Sequence, residues 1–265
     1  MIGSLQPIAF HLGPWPVYWY GLIIGVGMFC AYRLMLHLAK KRGLPEETLL
    51  DFMFWSILIG FIGARIYYVI FQWDYYRGHL DQIMQIWNGG LAIYGGVLAG
   101  AGTILYLARK KGLNPWVIFD VAAPGLLLAQ AIGRWGNFMN QEAYGGVVSL
   151  EFLQRLRLPS WLINQMYIEG AYHHPTFLYE SLWNSLGVLV LLFISKKRQG
   201  STGEVACSYL IWYGLGRMVI EGMRTDSLYL GPLRVSQWLS GLLVLVGMGL
   251  LWQGDRRHYL VKRGR

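Results

Sequence analysis

Charge is scarce in this chain: 14% of its 265 residues are charged while 55% are hydrophobic. With a positive mean hydropathy, that is too little polar surface to cover a domain of this size in water, so a soluble globular fold is excluded. Cysteine is scarcer still. Cys30 and Cys207 are the two in the chain, each inside an apolar stretch without a cation beside it. Neither a disulfide framework nor a reactive thiol is expected, and both read as packing residues. The chain has no Cys-x-x-Cys pair, no His-Glu-x-x-His helix and no cluster of His and Asp suited to a metal, and no cofactor is implied. Internal repeats, low-complexity tracts and interdomain linkers are also missing, as is a basic segment ahead of the first hydrophobic stretch. That stretch therefore reads as a retained anchor rather than a cleaved signal peptide.

What fills the chain is a series of apolar runs. A hydrocarbon core about 30 Å thick needs roughly 20 apolar residues per helical span. Seven runs are candidates, at 18–38, 49–71, 89–108, 116–132, 177–195, 205–220 and 238–252. Trp15, Trp19, Trp73, Trp87, Trp116, Trp135, Trp238 and Trp252 sit near their ends, where interfacial aromatics belong. The expected fold is all-α: a polytopic membrane helix bundle of about seven transmembrane helices, forming one integral membrane domain over 1–265. A small extracytoplasmic elaboration at 133–176 is expected between spans four and five.

The net charge of +9 is a topology signal. Lys40, Lys41 and Arg42 follow span one; Arg109, Lys110 and Lys111 follow span three; Lys196, Lys197 and Arg198 follow span five; Arg256, Arg257, Lys262, Arg263 and Arg265 end the chain. Every lysine falls in these groups, and positively charged short loops stay in the cytoplasm. The amino terminus is therefore expected outside and the carboxyl terminus inside. Because the cations are divided among four short segments and form no single patch, a nucleic-acid partner is not expected.

Glycine is abundant at 34 residues. Gly21, Gly25 and Gly27, Gly60 and Gly63, and Gly95, Gly96, Gly100 and Gly102 recur inside spans, where small residues let helices approach closely. Ionisable groups at membrane depth are costly unless paired, so each marks a candidate site. Arg65 falls late in span two, near enough to the outer interface to snorkel. Asp120 falls just inside span four, where it could be solvated or cap that helix. Tyr213, Arg217 and Glu221 are four residues apart and make one polar stripe on span six, with Arg224 following; a buried Arg217–Glu221 pair serving packing alone is the simpler alternative. The densest polar run, 133–146, leaves span four at the outer face with Arg134, Asn137, Asn140 and Glu142 among glycines. Such a run suits a phosphate or a sugar-like headgroup.

That run reads Gly133-Arg134-Trp135-Gly136-Asn137-Phe138-Met139-Asn140-Gln141-Glu142-Ala143-Tyr144-Gly145 and resembles the signature G-R-x-G/A-N-F-x-N-x-E-x-x-G of the bacterial prolipoprotein diacylglyceryl transferases at every fixed position. Further segments agree in order and spacing: Trp19-Tyr20-Gly21, Gly63-Ala64-Arg65 with Tyr68, Gly89-Gly90 through Gly95-Gly96, His174-Pro175 with Leu178-Tyr179-Glu180, and Tyr213-Gly214 through Arg217, Glu221 and Arg224. The resemblance spans nearly the whole chain. Two positions depart from it: many relatives carry histidine where this chain has Tyr94, and some carry glutamine near Phe177.

The resemblance implies an enzyme of the bacterial inner membrane. It would move the sn-1,2-diacylglyceryl group of phosphatidylglycerol onto the lipobox cysteine of a prolipoprotein signal peptide and release glycerol phosphate, the first step of lipoprotein maturation. Arginines suit a leaving phosphate that gains charge, and they raise the thiolate fraction of a thiol whose pKa is ordinarily about 8.5. Arg134 and Arg217 are expected to clamp the phosphate, oriented by Glu142 and Glu221. Asn137 and Asn140 would bind the headgroup, while Tyr20 and Tyr213 line the pocket, and Gly95, Gly145 and Arg224 complete the substrate site. Tyr94 replaces the histidine base and is expected to donate a hydrogen bond, since a neutral phenol cannot take a proton from the more acidic thiol. His174 and Glu180, at the outer end of span five, serve either the peptide entry path or helix capping. A small transporter or channel is the rival class but predicts inverted repeats. Another phospholipid-processing enzyme lacks its paired aspartates or Gly-x-Ser-x-Gly here.

Overall fold

The computed structural model describes residues 5–197, 202–225 and 229–253. Arg198, Asp226, Arg256, Arg257, Lys262, Arg263 and Arg265, named above or below for topology, lie outside the described residues. An antiparallel hairpin, β1 (Ile8–Leu12) and β2 (Trp15–Tyr18), leads into α1 (Trp19–Lys41). There follow α2 (Glu46–Phe71), the short α3 (Trp73–Tyr76), two 3-10 turns at Leu80–Gln82 and Ile86–Asn88, α4 (Ile93–Lys110) and α5 (Pro115–Asn140). Next come β3 (Val147–Val148), α6 (Leu150–Arg155), α7 (Ser160–Gln165), β4 (Tyr167–Ile168) and β5 (Ala171–His173). The chain then continues through α8 (Thr176–Lys197), α9 (Glu204–Glu221), β6 (Tyr229–Leu230), β7 (Leu233–Arg234) and α10 (Val235–Trp252).

Each of the seven apolar runs is helical. Five helices, α1, α2, α5, α8 and α10, are long and apolar enough to cross a membrane. The other two carry the reason they fall short in their sequences: α9 includes Glu204, Arg217 and Glu221, and α4 ends in Arg109 and Lys110. Burial is inverted relative to a soluble protein. Phe29, Phe54, Ile66, Val97, Leu98, Leu182, Leu189, Phe193 and Leu245 are exposed, while Arg65, Asp120, Glu180 and Glu221 are buried. This distribution is that of a multi-pass helical membrane protein, whose outer surface is solvated by lipid and whose charges face inward.

Two boundaries differ from the sequence reading. The third run becomes helical only at Ile93, because Gly89 and Gly90 adopt φ of 84° and 74°, outside the helical region. The fourth runs on to Asn140, so the first eight residues of the polar signature, 133–140, are helix and the elaboration begins at Gln141. Glycine and asparagine disfavour helix in isolation. Tertiary packing overrides that preference here, since a Cβ on Gly136 would meet the Tyr20 ring at 2.8 Å.

The chain folds as two compact units. In the first, 5–35 with the described residues from 119 onward, α1 packs antiparallel on α5, Gly27 lying against Ala129 and Ile132 and Gly125 against Ala31 and Met35. Helices α9 and α10 close on Gly214 and Gly247, where added Cβ atoms would meet Ser240 O and Cys207 O at 2.7 and 2.9 Å. Asp120 caps a helix, but that helix is α9 rather than its own: its carboxylate accepts from the backbone N–H groups of Gly203 (2.8 Å) and Ala206 (2.9 Å), two of the donors that a helix N-terminus leaves unsatisfied. The 141–175 segment has its own small core of Leu153, Leu162, Ile163, Met166 and Ile168 on Phe138 and Phe177, beside a three-stranded sheet of order β3-β5-β4.

In the second unit, 36–118, α2 and α4 pair through Gly60, Gly63, Gly95, Gly96 and Gly100, so these glycines are packing positions; Gly21, Gly25 and Gly102 have open space instead. Arg65 does not snorkel. It is buried, and its guanidinium donates to the carbonyls of Ile83 (2.8 Å), Gly89 (2.8 Å), Gly90 (2.9 Å) and Gln82 (2.7 Å), tying the 82–90 loop to α2.

Candidate active site

The last two turns of α5 present the signature. Arg134 Nη1 donates to Asn137 Oδ1 (3.2 Å), and Asn137 Nδ2 donates to Glu142 Oε1 (2.9 Å). Glu142 reaches back because Gln141, at φ 52°, ends the helix in the left-handed conformation and Glu142 N–H donates to Asn137 O (3.0 Å). Ala143 is also left-handed, at φ 58°. Strain of this kind at two non-glycine residues so close together persists only where the surroundings enforce it. Here they do: Gln141 Nε2 donates to Gln165 O (2.7 Å) and Thr176 Oγ1 donates to Ala143 O (2.6 Å).

The signature closes on Gly145, which is stitched on both sides. Its N–H donates to His174 O (3.1 Å), the Gly146 N–H donates to Met223 O (3.1 Å), and Gly145 forms a bridge with Arg224. A Cβ there would meet His174 Cβ at 2.7 Å and Thr176 Cγ2 at 3.0 Å. The stitch joins the end of the signature to the start of α8 and the end of α9, which brings the stripe on α9 toward Arg134. Burial pushes His174 below the ordinary imidazole range, so at neutral pH its ring is uncharged, with Nδ1 3.2 Å from the Tyr179 hydroxyl.

At the centre stands a carboxylate that the sequence reading placed at the periphery. Glu180, in the second turn of α8 and 5% exposed, lies 2.7 Å from Arg134 Nη2 through Oε1 and 3.5 Å from Arg217 Nη1 through Oε2. Arg217 Nη2 is also 2.6 Å from Glu221 Oε2. The carboxylate paired with Arg134 is therefore Glu180, while Glu142 acts one step away through Asn137. A carboxylate within an apolar helix is itself a signal, since it must find a cation, and that reasoning applied to 180 would have found this one. The two arginine side chains remain 21% and 17% exposed, and a guanidinium has five N–H donors, so both have donors left for a ligand.

Tyr20 lies on Gly136, and with Val17, Tyr18, Gly21, Leu22 and Asn140 it lines an open cleft of about 430 Å³. Tyr213 stacks on Tyr209 at 5.8 Å one turn before Arg217. The first unit thus gathers Arg134, Asn137, Glu142, Glu180, Arg217 and Glu221 into one network, places Tyr20 and Asn140 together in the cleft and joins Gly145 to Arg224 through the backbone. Tyr94 and Gly95 belong to the second unit, at the start of α4, where Gly95 lies in close contact with Tyr67 and Gly63.

The model of the prolipoprotein diacylglyceryl transferase family matches residues 7–253. Among similar proteins, the phosphatidylglycerol–prolipoprotein diacylglyceryl transferase of Lysinibacillus sphaericus is 54% identical over 94% of this chain and 92% of its own length. Those of Bacillus licheniformis and Geobacillus kaustophilus are 53% and 51% identical over 94% of this chain and 93% and 94% of their own lengths. With Arg134, Asn137 and Glu142 of the signature joined in one network and a match that extends over nearly all of its length, the chain belongs to the prolipoprotein diacylglyceryl transferase family.

Proposed function

We propose that this protein transfers the sn-1,2-diacylglyceryl group of phosphatidylglycerol to the lipobox cysteine of a prolipoprotein signal peptide. The observation that carries the reading is the Arg134–Glu180–Arg217 network, two forked cations near the ends of α5 and α9 held on one buried carboxylate. In the reaction the cysteine sulfur forms a bond to the glycerol carbon and the C–O bond to phosphate breaks. The diester monoanion thereby becomes a phosphate monoester, and the thiol proton passes to that product or to water. Cations fixed in a site of low dielectric stabilise such developing charge without reorganisation. Asn137 and Asn140 bind the glycerol headgroup, and Tyr20 and Tyr213 wall the site. The test is transfer by the purified chain of radiolabelled diacylglyceryl from phosphatidylglycerol to a lipobox peptide. Label in thioether linkage supports the reading, and label recovered only in hydrolysed lipid overturns it.

The setting is the bacterial inner membrane, with the amino terminus outside and the carboxyl terminus in the cytoplasm, by the placement of Lys40, Lys41, Lys110, Lys111, Lys196 and Lys197. Reporter fusions after Lys41, Lys111 and Lys197 are expected to read cytoplasmic and those near Arg77, Glu151 and Asp226 outside. A cytoplasmic reading at Glu151 puts the signature on the wrong side. Tyr94 acts as a hydrogen-bond donor to substrate rather than as a base. Tyr94→Phe is then expected to slow turnover about tenfold, as for loss of one neutral hydrogen bond, and Tyr94→His to remain active. A loss beyond about a thousandfold in Tyr94→Phe, rescued by histidine, makes this position the base instead.

A further inference from the structure

One turn deeper than Glu180, α8 and α9 are joined by a reciprocal contact. Trp183 on α8 and Trp212 on α9 stack with ring centroids 4.5 Å apart and planes 20° from parallel. Trp183 Nε1 donates to Trp212 O (3.1 Å), and Trp212 Nε1 donates to Trp183 O (3.1 Å). Each carbonyl also lies within a helix, where its regular partner is the N–H four residues on. Those residues are Gly187 and Gly216, so the pattern Trp-x-x-x-Gly occurs once on each helix. A Cβ on Gly216 would fall well inside contact distance of Trp183 Nε1, and one on Gly187 would do the same to Trp212 Nε1. The glycines uncover the carbonyls that the indoles grip.

We propose that this double Trp–Gly clasp is a positioning device for the reaction: it fixes the sliding register of α8 on α9 and so holds Glu180 between Arg134 and Arg217. Glu180 precedes Trp183 by three residues and Arg217 directly follows Gly216, so any slip at the clasp is transmitted to the ion pair. A slip of one residue is about 1.5 Å along the axis, enough to part Glu180 Oε2 from Arg217 Nη1, which are 3.5 Å apart. Indole N–H groups in an apolar setting need a partner, and interhelical hydrogen bonds beside small residues are what hold membrane helices in register. The inference rests on the proposed function, whose two cations Glu180 joins.

The test is a double-mutant cycle on the full chain in phosphatidylglycerol nanodiscs, with turnover of a lipobox peptide, KM and tryptophan exciton circular dichroism as readouts. Gly216→Ala is expected to lower kcat about 30-fold, with KM for the peptide within about twofold and the exciton couplet lost. In a Glu180→Gln background the same substitution is expected to cost less than about threefold, because the group it displaces has already lost its charge. A full 30-fold loss in that background overturns the clasp as a device acting through Glu180, as does unchanged kcat in Gly216→Ala despite a lost couplet. Wild-type turnover in Glu180→Gln alone overturns instead the role of Glu180 in the proposed function. If Gly216→Ala does not fold, Trp183→Phe keeps a ring in the stack, removes one N–H and enters the same cycle. Additive losses there overturn the proposal in the same way.

Discussion

Arg134→Lys is expected to lower turnover by about 10²- to 10³-fold, the range for removing one preorganised charge-stabilising group, in a protein that still folds. The cation is kept, so the result separates charge from geometry. Arg134 uses its two terminal nitrogens for different purposes, Nη1 on Asn137 and Nη2 on Glu180, and the planar fork fixes the geometry of that division. An ammonium is a compact point charge with no fixed plane. It can satisfy the buried Glu180, whose charge is the costlier to leave unpaired, but without the fork it is expected to hold Asn137, and with it the link to Glu142, less firmly. Peptide lipidation in vesicles, together with the unfolding midpoint in detergent, checks this. Turnover within tenfold of the parent, at an unchanged midpoint, would mean that net charge alone matters at this position.

The membrane character, the helices and most of the network residues were legible in the sequence because each rests on a local rule. Twenty apolar residues make a span whatever surrounds them, and spacing by four puts Tyr213, Arg217 and Glu221 on one face. What could not be read was set by contacts between distant segments. Helix propensity ended α5 near Gly133, whereas Tyr20 packing on Gly136 carries it to Asn140. Asp120 was placed at its own helix end, while its partners, Gly203 and Ala206, lie more than eighty residues away. Arg65 is held by loop carbonyls, and backbone carbonyls leave no trace in composition. Glu142 is nearer than Glu180 to Arg134 along the chain, but proximity in sequence is no guide once two helices run side by side.

Glu180→Gln is expected to reduce turnover about a hundredfold, and Glu142→Gln only a few-fold, although Glu142 lies within the signature and Glu180 does not. The argument is electrostatic. Both guanidinium groups approach the same carboxylate, Arg134 on Oε1 and Arg217 on Oε2, and like charges about 8 Å apart at an effective dielectric near 20 repel by about 2 kcal/mol. Glu180 offsets that repulsion and sets the spacing. Arg217 keeps Glu221 at 2.6 Å when Glu180 is neutralised, whereas among the described residues Arg134 keeps the neutral Asn137, so Arg134 is the cation expected to move. A loss of about 2 kcal/mol in alignment of charge with the leaving phosphate corresponds to roughly thirtyfold, and loss of the orienting hydrogen bond brings the total near a hundredfold. Glutamine preserves the volume but leaves the two guanidinium groups uncompensated, so the unfolding midpoint is expected to fall; turnover is compared well below it, where the effect is expected in kcat rather than in KM for the peptide. The ranking is the measurement that decides: turnover lower in Glu142→Gln than in Glu180→Gln would return the orienting role to the signature and leave Glu180 as a neutralising group for buried helices.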